Sequence, residues 1–206
     1  MATMLMDRLL RATREELART LEAFCREVGA AESSILLPVG DTELVFFAST
    51  NPALMQPGAP RVPIMASFSG IAFRTGQTVA VADAASQASH YKAVDDLVGS
   101  KTREFAAVPF ADRVVLGVLT LMNRATRNQG ASSPFTIAEL RSAGVLGGEI
   151  ASAITLFAGI TGATSHGDEP AQGFDRELTA DLARLNDQER RIVRAVVSAL
   201  IENRAE

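Results

Sequence analysis

Apolar residues near the start of the chain repeat at heptad spacing and predict an amphipathic helix. The residues that share this face are Leu10, Leu17, Leu21, Phe24 and Val28. The pattern predicts a helix over 4–28 with one face to bury, and Gly29 supplies its C-terminal end. We interpret residues 1–30 as an N-terminal helix that pairs two copies of the chain.

Beyond this helix, short apolar runs bounded by turn residues are typical of β-strands. The runs over 33–39 and 43–50 flank Gly40 and predict a hairpin. Two further short strands are predicted over 62–65 and 78–82.

The most informative stretch is 103–123, where two runs rich in Val, Leu and Phe flank the polar pair Asp112-Arg113. This pattern predicts a second hairpin. Helices are predicted over 67–76, 92–98 and 135–160. The first of these has serines at its start and Gly76 at its end, which are typical N-terminal and C-terminal signals.

Small residues recur along the long helix. Ala143, Gly147 and Ala151 stand at every fourth position, next to Gly144 and Gly148. Small side chains at this spacing let a second backbone approach closely, although each glycine costs a helix about 1 kcal/mol relative to alanine. We therefore expect tight packing on this face, and a homodimer formed through the first helix and the long helix.

The chain after the long helix differs in composition. Residues 161–176 predict a linker, and 177–206 predict an amphipathic helical tail. Ile192, Val196 and Leu200 share one face of that tail. This face suits docking on the same chain or on a partner.

Composition narrows the classes of function. The 206 residues are 47% hydrophobic, which is enough for one domain with extensions, and the net charge of -4 is spread without a basic stripe, so we expect no nucleic-acid partner. Cys25 is the only cysteine, which excludes an intramolecular disulfide. No apolar run approaches a membrane span and the start does not suit a signal peptide, so we expect a cytoplasmic protein without a membrane partner.

The order of these elements and several of their residues resemble the GAF domain, a ligand-sensing relative of the PAS fold. The matching segments are 69–77, 79–83, 103–109 and 117–119. The resemblance extends over about 17–157 and places the GAF domain at 31–160. It implies an α/β (α+β) fold with an antiparallel sheet of about six strands between helices. It also implies a ligand site between the sheet and the segment 67–103.

Cyclic-nucleotide GAF domains carry an Asn-Lys pair, then a Phe and an Asp-Glu pair. Asn123-Arg124, Phe135 and Glu139 keep this outline, but Arg replaces Lys and Leu140 occupies the last position. The resemblance implies a structural role for the motif, in which an Arg or Lys pairs with a carboxylate on the following helix. The departures from the motif argue against a cyclic nucleotide as the ligand.

Two GAF branches use cysteine chemistry. One reduces free methionine sulfoxide through cysteines that attack and then resolve as a disulfide, and phytochrome-like members attach a bilin. Cys25 lies alone on the first helix, where a small buried residue is the ordinary role. His90 and His166 are far apart and have no partners at ligand spacing, which argues against a metal site. We expect no catalytic residues and no cofactor.

The ligand site implied by the resemblance has several candidate residues. Asp83 and Arg103 stand at strand ends and are the pair expected to orient a ligand, with a turn cap and a solvated ion pair as the alternative. The phenylalanines would line an apolar cavity, with core packing as the alternative. The candidate ligand-binding residues are Phe47, Phe68, Phe73, Asp83, His90, Tyr91, Arg103 and Phe105.

Two functions remain open for such a domain. The first is a non-catalytic sensor that binds a small ligand and acts through its dimer helices on a separate effector protein, whose identity the sequence does not give. The alternative is a structural or adaptor domain, whose own phenylalanines fill the pocket and which works by protein–protein interaction. A filled cavity favours the alternative.

Overall fold

The computed structural model of the chain describes residues 2–111, 115–125 and 134–165, with side chains over 11–111, 115–125 and 134–155. The helices are α1 (Ala2–Val28), α2 (Phe68–Thr75), α3 (Lys92–Val98) and α4 (Ile137–Ser165). The strands are β1 (Ala30–Val39), β2 (Glu43–Ser49), β3 (Val62–Pro63), β4 (Val79–Val81), β5 (Phe105–Ala111) and β6 (Val115–Arg124). The predicted mixed α/β fold is confirmed.

One antiparallel sheet holds the six strands in the order β3-β2-β1-β6-β5-β4. The two predicted hairpins, β1–β2 and β5–β6, are both present. Strands β1 and β6, one from each hairpin, pair at the centre of the sheet. Ser34 lies opposite Thr120, and Ala30 lies opposite Arg124. This long-range pairing places the end of β6 beside the end of α1.

Both faces of the sheet are buried. On one face, Leu36 and Val118 pack in a cluster with Phe68 of α2. Successive residues of a strand point to opposite faces. On the other face, Phe110 meets α4 so closely that a Cβ added at Gly147 would lie 2.9 Å from the Phe110 Cβ. The sheet therefore forms the middle layer between α2 and α4.

A β-bulge in β2 decides which phenylalanine faces α2. In the register of β1 and β2, Ile35 pairs with Ala48. The next residue, Leu36, pairs with Phe46, so Phe47 is the extra residue of the bulge. A bulge changes the alternation of side chains along its strand. Phe46 therefore shares the face of Leu36, and Phe47 is not its neighbour on that face.

The apolar stripe of α1 is buried within the chain itself. Leu17, Leu21, Phe24 and Val28 are all less than 9% exposed. Burial of such side chains contributes about 1.5 to 3 kcal/mol each. These four residues are therefore not available as a seam between two copies, while the part of this helix in a dimer stays a prediction. The side chain of Leu10 lies outside the described part.

The chain divides into two compact units. The larger, Leu17–Gly148, holds the complete sheet together with α2 and α3. The smaller combines Met1–Glu16 with Glu149–Glu206, and its buried residues include Thr13, Ile150 and Ala151.

The long helix continues further than the sequence predicts. It reaches Ser165, beyond the expected start of the linker. The rest of the linker and the predicted tail at 177–206 lie outside the described residues. Among the described helices, none is both long and apolar enough to cross a membrane.

Substitution of Gly70 by alanine tests the close packing of α2 against the segment before it. A Cβ at this position would overlap the backbone of Ile64, which has no flexible atoms to move aside. We expect Gly70→Ala to lower the free energy of unfolding by about 3 kcal/mol, as overpacking does. Denaturant unfolding at low protein concentration measures this change.

The matched control is Gly144→Ala. A Cβ at Gly144 meets nothing within 4 Å, and the residue is helical. We expect this variant to gain up to about 1 kcal/mol from helix propensity. Equal stabilities of the two variants would contradict the close packing at Gly70.

Candidate functional site

A small cavity lies between the α2 face of the sheet and the segment that carries α2 and α3. Strands β1, β2, β3, β5 and β6 supply one wall, and α2 and α3 supply the opposite one. Most of the lining is apolar. Its main apolar residues are Leu36, Phe46, Val62, Phe68, Phe105 and Met122.

A serine cap fixes the helix that forms one wall. Ser67 Oγ accepts a hydrogen bond from Gly70 N at 2.9 Å and donates one to Pro63 O at 2.7 Å. The cap satisfies a helix N–H that has no intrahelical acceptor. At the other end of α2, Gly76 adopts a left-handed conformation with φ 64°. Both ends of α2 are therefore set as the sequence predicts.

Three polar side chains fasten the roof of the cavity around α3. His90 Nε2 forms a hydrogen bond with Asp95 Oδ2 at 2.9 Å. The same carboxylate accepts hydrogen bonds from Thr102 N at 2.9 Å and from Thr102 Oγ1 at 2.6 Å. The side chains of His90 and Asp95 are only 7% and 11% exposed. We call these three residues the roof cluster, since they join the segments before and after α3.

The roof helix itself has little packing. None of the residues of α3 is buried, although Val94 and Val98 contact the apolar cluster below. An element with few buried side chains opens at a low free-energy cost. The roof cluster therefore supplies much of what holds α3 in place.

The cavity is nearly filled by the chain's own side chains. The rings of Phe68 and Phe105 lie 5.6 Å apart between centroids, at an angle of 32°. The remaining volume is about 40 Å³. Ligand pockets typically have about 300 to 1,000 Å³, so this open space is several times smaller than a typical ligand site. A ligand larger than water can enter only if side chains or the roof move.

Half of the candidate ligand-binding residues predicted from the sequence line this cavity. They are Phe68, His90, Tyr91 and Phe105. Since no ligand is present, their role in binding stays a prediction.

The other four candidates lie outside the lining. Phe47 belongs to the bulge, and Phe73 packs against the cluster below α2. Asp83 and Arg103 are exposed. Next to Asp83, Ala84 N donates a backbone hydrogen bond to Arg103 O at 2.7 Å. The structure thus does not bring Asp83 and Arg103 to the cavity, because both strand ends meet at the surface.

Several lining residues escape sequence analysis. Asp95 and Thr102 lie in a polar stretch that gives no periodic signal, and only the fold brings them to His90. Of the serines at the start of α2, Ser67 caps the helix and Ser69 lines the cavity. The sequence analysis selects Phe47, whereas Phe46 lines the cavity. The bulge that causes this difference leaves no mark in the alternation of residues.

A second polar centre lies away from the cavity, at the end of β6. The Arg124 guanidinium forms two parallel hydrogen bonds of 2.8 Å with the two carboxylate oxygens of Glu139. It also donates to Val28 O at 3.0 Å and to Pro134 O at 2.9 Å. Its carbon Cζ lies 4.3 Å from the centroid of the Phe135 ring. The pairing of Arg124 with a carboxylate on the following helix matches the structural role expected for this motif.

The charges at this centre stabilise each other. The hydrogen bonds from Arg124, supported by those from Thr136, lower the pKa of Glu139 from 4.5 to about 2, although burial opposes this shift. The pKa of Arg124 is raised, mainly by the hydrogen bond with Glu139. Thr136 and Glu139 also cap the start of α4 reciprocally, through Thr136 N to Glu139 Oε2 at 2.6 Å and Glu139 N to Thr136 Oγ1 at 3.3 Å. This is a capping box.

Asn123 sets the direction of the chain before Arg124. Its φ of 56° is left-handed, a conformation that asparagine tolerates better than most residues. Asn123 Oδ1 accepts a hydrogen bond from Arg103 N at 2.8 Å, and Asn123 N donates to Glu104 O at 2.8 Å. Both residues of the Asn-Arg pair thus have structural contacts outside the cavity.

The single cysteine has no activated form in this fold. Cys25 is buried, and desolvation, together with the charges of Glu32 and Glu22, raises its pKa to about 11. The thiol therefore stays protonated at neutral pH, and the thiolate is the nucleophilic form. Within the described residues, no group of three or more His, Cys, Asp or Glu side chains is arranged to hold a metal ion.

Comparison with known proteins agrees with this architecture. A family model described as GAF domain matches residues 11–155. This match includes the whole sheet, both walls of the cavity and the first half of α4. No curated protein sequence matches the chain.

Solved structures share the fold at low sequence identity. The GAF domain of a phosphoenolpyruvate-protein phosphotransferase from Coxiella burnetii is 19% identical, with a TM-score of 0.58 over 77% of this chain and 96% of that one. The corresponding domain from Acinetobacter is 19% identical, with a TM-score of 0.54 over 79% of this chain and 99% of that one. A type II free methionine-R-sulfoxide reductase from Thermoplasma acidophilum is 10% identical, with a TM-score of 0.54 over 69% of this chain and 92% of that one. At such identities the likeness concerns the fold alone.

The Arg124–Glu139 pair predicts a specific dependence of stability on pH. Because the pKa of Glu139 is lower in the folded chain, its carboxylate stabilises the fold above pH 4.5, and this contribution is lost as the pH falls from 4.5 to about 2. We expect Glu139→Gln to lower the free energy of unfolding at neutral pH by about 2 kcal/mol. The loss should shrink towards zero in acid, as measured by denaturant unfolding across this range.

The control for this variant is Glu43→Gln, which breaks the Arg61–Glu43 ion pair. That pair has a similar N···O distance of 3.0 Å, but its side chains are 60% and 39% exposed. We expect a change within about 0.5 kcal/mol. If both variants lose the same stability, burial and the bidentate geometry do not give the Arg124 pair its strength.

The roof cluster predicts that one of two adjacent aspartates holds α3 in place. Asp95→Ala removes the acceptor of both Thr102 groups and the partner of His90. We expect faster amide hydrogen exchange over 92–102 and a loss of about 2 kcal/mol in stability, because buried donors lose their acceptor.

Asp96→Ala is the matched control, since Asp96 is the next residue of the same helix and is exposed. It should leave the exchange of 92–102 close to that of the unmodified chain. Equal protection in both variants would show that the roof does not depend on Asp95.

Proposed function

The chain belongs to the GAF domain family, and we propose that it is a non-catalytic sensor module of cytoplasmic signal transduction that binds a small molecule in the cavity under α3. GAF domains are sensory and regulatory modules of signalling proteins. The observation that carries the proposal is a cavity with a mainly apolar wall whose roof is fastened by the roof cluster. An apolar pocket with few convergent polar groups is the usual form of a ligand site.

The roof supplies a route from binding to a change in structure. A ligand larger than water has to displace α3 or the rings below it, because only about 40 Å³ is open. A segment without buried residues is the part of this wall that moves at least cost. Binding would therefore select a conformation in which the roof and the sheet have a different separation.

The absence of catalysis in this proposal follows from the state of Cys25. Sulfoxide reduction through cysteines requires a thiolate and a second thiol that resolves the intermediate. Cys25 is buried, has a raised pKa and is the only cysteine of the chain. The likeness to a methionine sulfoxide reductase therefore extends to the fold and not to this chemistry.

We propose a homodimer that forms through the outer face of α4, and an effector protein that reads the arrangement of its helices. Ile137 and Val145 are 70% and 67% exposed on this helix. Gly144 lies between these two residues in sequence, and Gly148 follows them. A Cβ added at either glycine would meet nothing within 4 Å. Within one chain, Gly144 weakens the helix by about 1 kcal/mol, although a side chain there would meet no other described part of the chain. A second helix packed against Gly144 would account for its presence.

A specific observation also supports the adaptor function. The rings of Phe68 and Phe105 both line the cavity, 5.6 Å apart, and the open volume is only about 40 Å³. A domain of this kind would keep its cavity closed and act only through its surface. The two functions differ in whether anything enters the cavity, which can be measured directly.

Native mass spectrometry of freshly purified protein, compared with the mass after denaturation, tests the sensor proposal. We expect a dimer, with an extra mass per chain that disappears on denaturation. Gly144→Glu should give a monomer, because a buried charge without a partner is costly at a helix interface. Thr78→Glu, on an exposed loop, should remain a dimer.

A bare native mass under all conditions would favour the adaptor function. A monomer at every concentration would remove the dimer from the proposal, independently of the result for the ligand. If Gly144→Glu stays dimeric, the interface lies elsewhere on the chain.

A further inference from the structure

We propose that the cavity under α3 is selective for a small, uncharged ligand that donates a hydrogen bond, and that it rejects anions. This inference rests on the proposed sensing function and defines the chemistry of its ligand. It comes from the hydrogen-bonding groups of the lining that the chain leaves unused. The residues that carry these groups are Ser69, His90 and Tyr91.

The roof cluster determines which nitrogen of His90 carries a proton. Asp95 accepts hydrogen bonds on both oxygens from Thr102, and a carboxylate has no proton to donate. The nitrogen that faces it, Nε2, must therefore be the donor of the 2.9 Å hydrogen bond. In a neutral imidazole the other nitrogen, Nδ1, is then an acceptor. When the imidazole is neutral, Nδ1 can therefore receive a hydrogen bond from a ligand.

The Nδ1 acceptor is not used by the chain. Within the part of the chain that the structure describes, His90 makes no side-chain hydrogen bond other than that with Asp95. The side chain is nevertheless 7% exposed and lines the cavity. No fully buried side-chain nitrogen or oxygen of the described residues lacks a hydrogen-bond partner, so Nδ1 is reached from the open space, where water or a ligand can bind it.

Two hydroxyl groups of the lining are also unused. Ser69 is 5% exposed, and its hydroxyl makes no hydrogen bond to any described residue. The same holds for the Tyr91 hydroxyl, on the residue that starts α3. Hydroxyl groups both donate and accept. Together with His90, they offer polar contacts on the α2 side and on the α3 side of one small space.

The charges of the lining disfavour an anion. No Lys or Arg is among the described residues that line the cavity, and the one charged group, Asp95, is negative. A phosphate or carboxylate there would be desolvated next to a carboxylate without a cation to offset it. A cation is not favoured either, because the Asp95 oxygens are already engaged by His90 and Thr102. An uncharged ligand with one O–H or N–H donor fits this arrangement.

Three probes with one ring and different polar groups test this chemistry. Phenol is neutral at neutral pH and donates a hydrogen bond, anisole has no donor, and benzoate is an anion. Each is titrated into the unmodified protein, and binding is measured from amide shifts of cavity residues in two-dimensional NMR spectra. We expect phenol to bind at least about tenfold more tightly than anisole or benzoate, the ratio that one good hydrogen bond or an unpaired charge provides.

Two conservative variants assign the contacts without disturbing the fold. Ser69→Ala and Tyr91→Phe remove hydroxyl groups that have no partner among the described residues, so thermal unfolding should be unchanged. Each should weaken phenol binding by about three- to tenfold. Ser86→Ala removes an exposed hydroxyl whose residue does not line the cavity, and should leave phenol binding unchanged.

The outcomes separate this inference from the sensing function itself. Benzoate binding as tightly as phenol at the same residues would overturn the ligand class, while a cavity that accepts ligands would remain. Unchanged phenol affinity in both Ser69→Ala and Tyr91→Phe would also overturn it. If none of the probes shifts cavity resonances up to its solubility limit, the inference is wrong, and the native mass measurement decides separately whether the sensing function stands.

Discussion

The guanidinium group of Arg124 is the contact on which the order of the larger unit depends. It joins the carbonyl at the end of α1, the loop carbonyl of Pro134 and the carboxylate of Glu139 at the start of α4. The end of α1 and the stretch 134–139 that leads into α4 thus meet at one planar group, whose fork of donors matches a carboxylate. A lysine would offer a single point charge and could not supply this geometry. The replacement of Lys by Arg in the family motif therefore suits a junction better than a ligand contact.

Much of the fold could be predicted because its signals are local. Gly76 ends α2, Ser67 begins it, and the hairpins lie where alternation and turn residues place them. The limits of α3 were predicted in full. The site was predicted less well, because its polar contacts depend on the approach of segments without periodic signals, as with Asp95 and Thr102. The heptad stripe of α1 shows a related limit, since the same spacing serves a dimer seam and a buried face of one chain.

The cavity combines two features that have opposite consequences. Its aromatic rings leave almost no open volume, which stabilises the closed form through packing. Its polar groups without a partner among the described residues have the opposite effect, because they are open to water or to a ligand that can bind them. A ligand that completes these hydrogen bonds would therefore stabilise the site through hydrogen bonding as well as through packing. The roof cluster keeps His90 oriented in the meantime, so the imidazole does not need to change its tautomer on binding.

The two edges of the sheet have a consequence for how this chain associates with others. Both edge strands are very short, β3 at Val62–Pro63 and β4 at Val79–Val81, and all long strands are interior. Pro63 has no N–H group, so one edge lacks a donor at that residue. Short edges with missing donors offer a poor template for an added strand, which protects against β-aggregation. At these two strands, an extended peptide or a second copy therefore has few backbone groups with which to pair.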